Sequence, residues 1–500
     1  MTAKFSVGEI AEATGGELRL GSGAPKAGGG IDREAPLTGI STDTRTIRAG
    51  EAFFALAGEN HDAHDYLGEA AGGGAALLVV SDADKAPADY GGAVLVVRDT
   101  LRAYQDLAAY YRRLMNPFVV AITGSVGKTT LKDMVYCILS GRGRVCRTEG
   151  NLNNQIGLPR TILSAPKDTE ILVLEMGMAG AGEIERLVEI ARPDACAITN
   201  IGLAHRENFD SDDGILKAKF EITSCLGEGG ALVIETSGSA ELLGLAEKGG
   251  REKGYDVIRV AERGARASAG ADYIVSQARV SRVNISESFF TIEDERIGKK
   301  VPFDIPLPGN YAGLSAAFAA ALCSRVGVSL AEAAEALTRL ERTPHRLEPI
   351  RRGGVLVIDD TYNAGPVSAK AGLEYIMNVP ASRRVAALAD MNELGSDSEA
   401  LHMEVGEAAY LAGIDVLYTF GEKAGRIADG AEAAAGAACK TGNTGAAGAI
   451  KILRFGPEEK PELIARLYED LREGDAVYVK GSRTMKMEEI VRALTKDKDE

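Results

Sequence analysis

The stretch VVAITGSVGKTTLKDMV, Val119–Val135, changes pattern sharply in its middle. An apolar run ends, a glycine-containing turn follows, and an amphipathic pattern starts at Lys128. Backbone amides of such a turn and the positive end of a helix bind phosphate. Ile122 occupies the first glycine position of GxxxxGK[ST], so that strict pattern is not met. An ordinary glycine turn with an incidental lysine is the alternative, but we predict a nucleotide-phosphate loop made of Thr123, Gly124, Ser125, Val126, Gly127, Lys128, Thr129 and Thr130.

The sequence around this loop alternates between apolar runs and helical patterns from Pro117 to about Leu340. The runs PFVVAIT, TEILVLEMG, DACAITNIG and GALVIET are nearly continuous in apolar residues. This pattern predicts a parallel sheet covered by helices on both faces. The segment from Gly264 to Pro302 instead alternates with a period of two, so we predict an antiparallel excursion there.

Similar alternation on both sides of this region predicts two further α/β units. The chain is too long for one ordinary core. We therefore predict an α/β protein with a small N-terminal domain (1–98), a central P-loop domain (99–342) and a C-terminal Rossmann-like domain (343–500). The Gly-rich segment 21–30 is predicted to be a surface loop, and 431–448 a helix followed by a loop.

Composition narrows the class of protein. The formal net charge is −15 over 500 residues, which argues against a general nucleic-acid or membrane-surface binder. Six scattered cysteines without a CxxC pair predict reduced thiols. No signal peptide and no membrane span of about 18 apolar residues is evident. We predict a soluble, cytoplasmic monomer.

Four polar residues downstream of the loop are considered as metal ligands. Glu175 ends the run ILVLE, where ligands gather at the carboxyl edge of a parallel sheet and where Mg²⁺ would find an oxygen donor. A solvated strand-end glutamate is the alternative. His205 follows another strand end, and a lone histidine is more often structural. Lys217 and Lys219 would ordinarily form a solvated helix face.

Taken together, these residues resemble the Mur ligase family, the ATP-dependent amide ligases of peptidoglycan synthesis. That family carries a TGxxGKT[TS] loop, a strand-end glutamate, and a histidine followed fourteen residues later by a lysine in an Ala-Lys pair, here His205 and Lys219. The resemblance implies that Lys219, rather than Lys217, is carbamylated. It also implies a catalytic set of Lys128, Glu175, His205 and Lys219, and two Mg²⁺ ions bound by Thr129, Glu175, His205 and Lys219.

Other stretches are similar to the family member that joins D-alanyl-D-alanine to UDP-N-acetylmuramoyl-tripeptide through an acyl phosphate. They are STDTRTIRAGEAFFALAGENHDAHDYL, TEGNLNNQIGLP, RLEPIRRGGVLVIDDTYNAGP, LADMNELGSDSEALH and VKGSRTMKMEEIV. The resemblance implies muramyl-substrate contacts at Thr44, Arg45, Asn151 and Asn154. It implies ATP contacts at Arg346 and Asp360, which would form when the third domain closes. It implies contacts to the incoming dipeptide, or a role in closure, at Lys480, Ser482 and Arg483.

Several positions depart from the family: Gly365 and Ala389 replace an asparagine and a glycine, LVIETSGS stands where an Asn-Asp-Asp turn is usual, and one further segment is rewritten. The family's PGxHNxxNALAA is PGNYAGLSAAFAA here, so Tyr311, Ala312 and Ser315 replace a histidine and two asparagines. Selectivity for the nucleotide base is therefore left open. Two other functions also stay open: a relative with another amino-acid or peptide acceptor, such as a folylpolyglutamate synthetase, and a nucleotide-binding paralogue that does not ligate.

Overall fold

The computed structural model describes residues 1, 4–21, 31–58, 61–202, 206–209, 211–264, 270–280, 286–309, 311–441 and 450–496. Its strands form sheets of five, nine and six strands in chain order. The predicted α/β class with three sheet domains is confirmed. The boundaries placed after residues 98 and 342 stay predictions. Apart from Gly21, the predicted loop at 21–30 lies outside the described residues, as does His205.

The N-terminal unit is a five-stranded sheet in the order β1-β5-β4-β3-β2, in which only β1 is antiparallel to its neighbour. Its strands are β1 (Glu17–Leu20), β2 (Gly39–Ser41), β3 (Glu51–Phe54), β4 (Leu77–Val80) and β5 (Ala93–Val96). Its helices are α1 (Val7–Thr14), α2 (Leu67–Gly72) and α3 (Thr100–Met115). Strands β3 and β4 are buried along their whole length, which explains their continuous apolar runs.

Helix α3 joins this unit to the central one. Asp99 caps its N-terminus by accepting a hydrogen bond from the backbone N–H of Arg102. On one side Tyr104 packs edge-on against Phe54, with ring centroids 5.5 Å apart. On the other side Tyr111 Oη donates to the carbonyl of Ala165, at 2.9 Å. One continuous hydrophobic core therefore spans both units.

The central sheet has the order β14-β13-β12-β11-β10-β9-β6-β8-β7. Its strands are β6 (Phe118–Thr123), β7 (Val145–Arg147), β8 (Ile171–Glu175), β9 (Ala195–Ile198), β10 (Ala231–Glu235), β11 (Asp256–Glu262), β12 (Tyr273–Val280), β13 (Ser288–Asp294) and β14 (Lys299–Ile305). Strands β6–β12 pair in parallel, whereas β12, β13 and β14 pair antiparallel, as predicted for that segment.

Helices cover both faces of this sheet. They are α4 (Lys128–Leu139), α5 (Gly157–Ser164), α6 (Glu183–Ala191), α7 (Asp212–Phe220), α8 (Ala240–Lys253), α9 (Tyr311–Ser324) and α10 (Leu330–Leu337). Helices α4, α9 and α10 pack on one face, and residues of α5–α8 belong to the core on the other. Helix α9 is apolar on nearly every side because it is buried between the sheet and its neighbouring helices.

The C-terminal sheet has the order β15-β16-β20-β17-β18-β19. Its strands are β15 (Glu348–Arg352), β16 (Val355–Asp359), β17 (Arg383–Ala389), β18 (Val416–Phe420), β19 (Lys451–Phe455) and β20 (Asp475–Lys480). Its helices are α11 (Pro366–Met377), α12 (Ser398–Leu411), α13 (Gly425–Thr441), α14 (Lys460–Asp470) and α15 (Glu488–Thr495). Helices lie on both faces, as in a doubly wound fold. The last strand inserts between β16 and β17, which differs from the usual dinucleotide-binding order.

No helix within the described part of the chain is long and apolar enough to cross a bilayer. All six cysteines fall within that part, and none forms a disulfide.

Candidate active site

The predicted phosphate loop lies at the centre of the nine-stranded sheet. It connects β6 to α4, and β6 is flanked by β8 on one side and β9 on the other. The chain therefore leaves β6 in one direction to reach β8 and later crosses to the opposite side to form β9. Ligands of open α/β sheets bind at such a switch point, outside the carboxyl ends of the strands.

Two glycines give the loop its shape. Gly124 has φ +143°, and a Cβ atom there would lie 2.0 Å from Thr199 Oγ1. Gly127 has φ +86° and precedes α4 without a side-chain cap. The amides of the first turn of α4 therefore have no intrahelical acceptor and no capping side chain. The positive end of α4 is built to receive an anion.

Residues at the end of β9 fix the loop. Asn200 Oδ1 accepts from the backbone N–H of Val126 at 3.0 Å, and Asn200 Nδ2 donates to the Val126 carbonyl at 2.9 Å. Thr199 Oγ1 donates to the same carbonyl at 2.6 Å. Sequence reasoning missed both residues. The sequence offers one signal, the position of both residues directly after the strand DACAI. That signal is insufficient by itself, because only the sheet order places this strand beside β6.

Lys128 folds back over the loop. Its ammonium group donates to the carbonyl of Gly124 at 2.7 Å and to that of Ser125 at 3.4 Å. Burial lowers the pKa of Lys128, and the negative charge of Glu175 opposes that shift. The carbonyls offer only partial negative charges to this ammonium group, whereas a phosphate at the loop would carry full negative charge.

Glu175 is buried at the end of β8 and makes two side-chain hydrogen bonds. One carboxylate oxygen accepts from Thr129 Oγ1 at 2.9 Å, and the other accepts from Asn153 Nδ2 at 2.8 Å. A carboxylate and a hydroxyl beside a phosphate loop fit Mg²⁺, which uses few protein ligands together with substrate phosphates and water. No cluster of three or more His, Cys, Asp or Glu side chains able to hold a metal occurs among the described residues.

The asparagine-rich turn after β7 contributes differently from the prediction. Asn153, which sequence reasoning overlooked, contacts Glu175 directly. Asn154 Oδ1 accepts from the backbone N–H groups of Ile156 and Gly157, and so caps α5. Asn151 lines the cavity described below. The predicted muramyl-substrate contacts of Asn151 and Asn154 stay predictions.

The two candidate lysines of α7 have different environments. Lys217 is exposed and forms an ion pair with Asp213 at 2.6 Å. Lys219 is 2% exposed, and no described residue accepts a hydrogen bond from its ammonium group. Burial, followed by the charge of Lys128, lowers the pKa of Lys219 to about 7. Lys217 therefore lies on the solvated face of α7, whereas Lys219 lies on its buried face.

Arg346 connects the central and C-terminal units. Its Nη2 donates to Thr129 Oγ1 at 3.1 Å, and its guanidinium stacks over the Tyr362 ring at 4.2 Å. Arg346 Nε is buried without a hydrogen-bond partner in the described part of the chain. This contact places a cation of the third unit at the same hydroxyl that faces Glu175.

Asp360 directly follows β16, Lys480 ends the neighbouring strand β20, and the two form a buried ion pair. Asp360 Oδ2 accepts from Lys480 Nζ at 2.6 Å and from Tyr478 Oη at 2.9 Å. The two residues, predicted separately as nucleotide and dipeptide contacts, are thus each other's partners. Ser482 Oγ accepts from the backbone N–H of Asn392 at 2.8 Å. Arg483 is 59% exposed and lies 3.5 Å from Glu488.

Thr44 and Arg45 lie on the N-terminal unit, apart from the residues above. Thr44 Oγ1 donates to Glu69 Oε2 at 3.0 Å. Arg45 pairs with Asp43 at 2.7 Å, and the hydrogen bond from Arg45 lowers the pKa of Asp43 to about 2. Their predicted contact with a uridine nucleotide stays a prediction.

A cavity of about 1440 Å³ lies between the central and C-terminal units. The phosphate loop, Glu175 and the asparagine-rich turn line one wall. Arg346, Asp360, Lys480 and the segments 362–368, 392–394 and 482–484 line the other. Tyr311 and Ser315, where the sequence departs from the family, line the same cavity at the start of α9. The volume is large enough for a nucleotide together with a second substrate.

Comparison with known proteins identifies the family. Residues 122–323 match the Mur ligase middle domain, and residues 345–483 match the Mur ligase, glutamate ligase domain. The UDP-N-acetylmuramoyl-tripeptide--D-alanyl-D-alanine ligase of Escherichia coli is 36% identical over 92% of this chain and 94% of its own length. The chain belongs to the Mur ligase family. The predicted resemblance is thereby confirmed.

Solved structures extend this likeness to the whole Mur ligase chain. MurF from Acinetobacter baumannii matches with a TM-score of 0.83 at 27% identity, covering 99% of both chains. MurF from Thermotoga maritima, solved in complex with ADP, matches with a TM-score of 0.77 at 25% identity. That match covers 91% of this Mur ligase and 96% of the Thermotoga chain.

Proposed function

We propose that this Mur ligase joins D-alanyl-D-alanine to UDP-N-acetylmuramoyl-tripeptide with ATP, in the cytoplasm, as a step of peptidoglycan synthesis. The observation that carries this proposal is the likeness to ligases of that name through all three units. The match to the Escherichia coli ligase extends over 461 residues, so it is not confined to the nucleotide-binding core. An enzyme sharing only that core would not need the same N-terminal unit.

The ATP phosphates would lie at the loop. The first-turn amides of α4 and the ammonium group of Lys128 supply positive charge there. Thr129 and Glu175 would hold one Mg²⁺, which neutralises charge on the phosphates during transfer. The ADP in the Thermotoga MurF structure supports the same use of nucleotide in this chain. Arg346 would contact a phosphate, and Asp360 a ribose hydroxyl after its pairing with Lys480 is rearranged.

Lys219 suits a different role. Its burial, and the lack of an acceptor among the described residues, leave an amine that burial keeps from charging easily. Such an amine adds to CO₂, and the resulting carbamate would be an oxygen ligand for a second Mg²⁺. We propose that His205 is the other protein ligand of that ion. Lys217, exposed and ion-paired, is unsuited to this chemistry.

The proposed reaction has two steps. A carboxylate oxygen of the tripeptide attacks the γ-phosphorus of ATP, and ADP leaves with the electron pair of the broken P–O bond. The amine of D-alanyl-D-alanine, having lost a proton, then attacks the acyl carbon. Phosphate leaves with the electron pair of the broken C–O bond and takes up the second proton that the nitrogen releases. The protein's part is to position the reactants and neutralise charge. Thr44, Arg45, Asn151 and Asn154 would hold the muramyl substrate.

The test measures phosphate release from ATP and Mg²⁺ with each substrate alone and with both. We expect release to require the tripeptide and the dipeptide together, with UDP-N-acetylmuramoyl-pentapeptide identified by mass. Turnover with another amino-acid acceptor would favour a ligase of different specificity. Turnover indifferent to both substrates would favour a nucleotide-binding paralogue that does not ligate.

A matched pair of variants tests the role of Lys219. Lys219→Ala should reduce ligation by at least about a thousandfold, because a ligand of the phosphoryl-transfer site is lost. A short carboxylic acid added to the buffer should restore part of the activity. Lys217→Ala, on the same helix, should leave activity unchanged. Full activity of Lys219→Ala without added acid would overturn the carbamate proposal.

A further inference from the structure

The cavity extends from the phosphate loop in two directions. Towards β8 it is lined by Glu175 and the asparagine-rich turn, where the proposed function places Mg²⁺ and the muramyl substrate. Towards β10 and β11 it is lined by Glu235 and Glu262, the last residues of those strands. Because β6, β9, β10 and β11 are parallel neighbours, their carboxyl ends lie on the edge of the sheet that carries the loop. A nucleotide with its phosphates at the loop therefore extends its base in the second direction.

Two helices, one from each unit, line this second part of the cavity, which we call the base slot. Helix α9 contributes Tyr311, Leu314, Ser315 and Phe318, whose spacing places them on one helical face. Helix α11 of the C-terminal unit contributes Ala371 and Tyr375. Apolar and aromatic side chains on both helices suit a flat heterocycle, which stacks on such surfaces.

Tyr311 and Ser315 provide the hydroxyl groups of the α9 face and lie about one helical turn apart. Neither hydroxyl forms a hydrogen bond with another residue in the described part of the chain. Burial raises the pKa of Tyr311, and the charge of Asp360 acts in the same direction. Asp360, which the proposed function assigns to a ribose hydroxyl, is therefore close to the start of the base slot. Both hydroxyls remain available to a base that enters the slot.

The two purine bases differ at the group on carbon 6. Adenine carries an amino group there, which donates, whereas guanine carries a carbonyl oxygen, which accepts. A side-chain amide that pairs with the amino group and N7 of adenine cannot pair with the two acceptors of guanine in the same way. A hydroxyl donates or accepts according to its rotation. Hydroxyls at this edge therefore satisfy either purine.

The carboxylates of the base slot do not separate the purines either. Burial, followed by the charges of Glu235 and Glu374, raises the pKa of Glu262, so these three carboxylates lie near one another at the slot. A carboxylate only accepts hydrogen bonds, and adenine and guanine each carry an amino group that donates. A base bound here therefore gains the same kind of contact from the acidic side whichever purine it is.

We propose that Tyr311 and Ser315 set the base selectivity of this ligase, and that they admit ATP and GTP alike. This proposal rests on the proposed function, since the nucleotide is the phosphoryl donor of that reaction. GTP would donate its γ-phosphoryl group to the same tripeptide carboxylate, and GDP would leave with the electron pair of the broken P–O bond. The phosphate loop binds phosphates, which the two nucleotides share.

The test compares kcat/KM for ATP and GTP, each purified free of the other, with the tripeptide and D-alanyl-D-alanine saturating. We expect the two values to agree within about tenfold, with the pentapeptide product identified by mass for each, because one mismatched bidentate base contact would produce a larger difference. An enzyme that turns over with ATP and uses GTP less than about one-tenth as well would overturn the proposal. An enzyme that forms no pentapeptide with either nucleotide would instead contradict the proposed function.

Two variants assign the selectivity to these residues. Ser315→Asn introduces an amide with a fixed donor and acceptor, so the ratio of kcat/KM for ATP to that for GTP should rise at least about fivefold. Ser140→Asn, at the far end of α4 and outside the cavity, is the matched control and should leave the ratio unchanged.

Tyr311→Phe removes one hydroxyl and keeps the ring, so it should lower kcat/KM for both nucleotides by the same factor, about fivefold. The equal loss is the readout that a merely structural role would not produce together with the changed ratio in Ser315→Asn. An unchanged ratio in Ser315→Asn, or a loss confined to one nucleotide in Tyr311→Phe, would overturn the proposal.

Discussion

At the scale of a single residue, Lys219 carries an electrostatic cost that no contact in the described part of the chain offsets. An ammonium group taken out of water without a partner loses solvation that nothing repays, so it is driven towards its neutral form. Lys219 is 2% exposed, and the charge of Lys128 acts on it in the same direction as burial. The proposed carbamate would remove this desolvation cost, because it converts the buried amine into a metal ligand. The proposed function therefore explains why a lysine that lowers stability stands at this position.

This cost predicts how stability depends on pH. In CO₂-free buffer, native Lys219 loses its proton near pH 7, whereas the unfolded chain keeps it to about pH 10. The penalty is full below pH 7 and is relieved as the pH rises, because the unfolded state then binds more protons. The free energy of unfolding in urea, relative to Lys219→Met, should rise by up to about 1.4 kcal/mol per pH unit between these values.

The control for this measurement is Lys217→Met, whose difference from wild type should stay flat with pH because Lys217 is exposed. Bicarbonate should stabilise the wild-type protein and leave Lys219→Met unaffected. A difference between wild type and Lys219→Met that does not change between pH 7 and about 10 would show that Lys219 is charged in the native protein.

At the scale of secondary-structure elements, local pattern predicts some of the site and misses the rest. The strand–turn–helix at β6 and α4 is predictable because its glycines, lysine and hydroxyls are contiguous. Asn153, Thr199 and Asn200 are not, because their contacts depend on β8 and β9 both lying beside β6. The spacing of residues in the sequence does not show which strands become neighbours. For the same reason, the sequence pattern alone does not single out Lys219, and only the resemblance to a family does so.

The pairing of Asp360 with Lys480 is likewise a consequence of sheet order. The last strand, β20, inserts beside β16, so residues 120 apart in sequence meet in the interior. Removing one member of a buried pair leaves an unpaired charge, at a cost of about 3–5 kcal/mol. Lys480→Met should therefore lower the free energy of unfolding in urea by that amount.

Two further variants test whether the loss of stability comes from an unpaired buried charge. Adding Asp360→Asn to Lys480→Met should recover most of the loss, since the amide still accepts from Tyr478 and carries no charge. Lys370→Met, which breaks an exposed pair with Glu404, should cost less than about 1 kcal/mol. A Lys480→Met protein as stable as wild type would mean that the pair with Asp360 contributes nothing to stability.

At the scale of the whole molecule, contacts join the central and C-terminal units beside the cavity. Thr343 Oγ1 donates to Asp133 Oδ2 on α4 at 2.7 Å, and Arg346 reaches Thr129 one turn earlier on the same helix. The segment that joins the units contains two non-glycine residues with positive φ, His345 at +63° and Leu347 at +48°. The helix that follows the phosphate loop is therefore bonded directly to the connection between the units. We expect these contacts to break and re-form during turnover, as the units move to admit substrates and release products.

A third contact between the units makes this motion testable. Glu207 and Gly395 lie on short turns of the central and C-terminal units. A Cβ atom at Gly395 would lie 3.5 Å from the Cβ of Glu207, at the short end of the range of about 3.5–4.5 Å found in disulfides. It would also lie 3.1 Å from the Cα of Glu207, so the backbone of one turn must shift by a few tenths of an ångström. With that shift, Glu207→Cys combined with Gly395→Cys should form a disulfide that holds the units together. The exposed Cys225 and Cys439 should first be changed to serine to exclude other pairings.

We expect the oxidised double-cysteine protein to lose most of its steady-state ligation, because the disulfide prevents the motion of the units that substrate entry and product release use. Dithiothreitol should restore activity to the level of the two single-cysteine proteins, which also control for the strain of cysteine at Gly395, where φ is +60°. Mass spectrometry should confirm that oxidation is complete before rates are compared. If the fully oxidised protein turns over as fast as the reduced one, the units need not separate at this contact, and substrates must reach the phosphate loop by a path that leaves it intact.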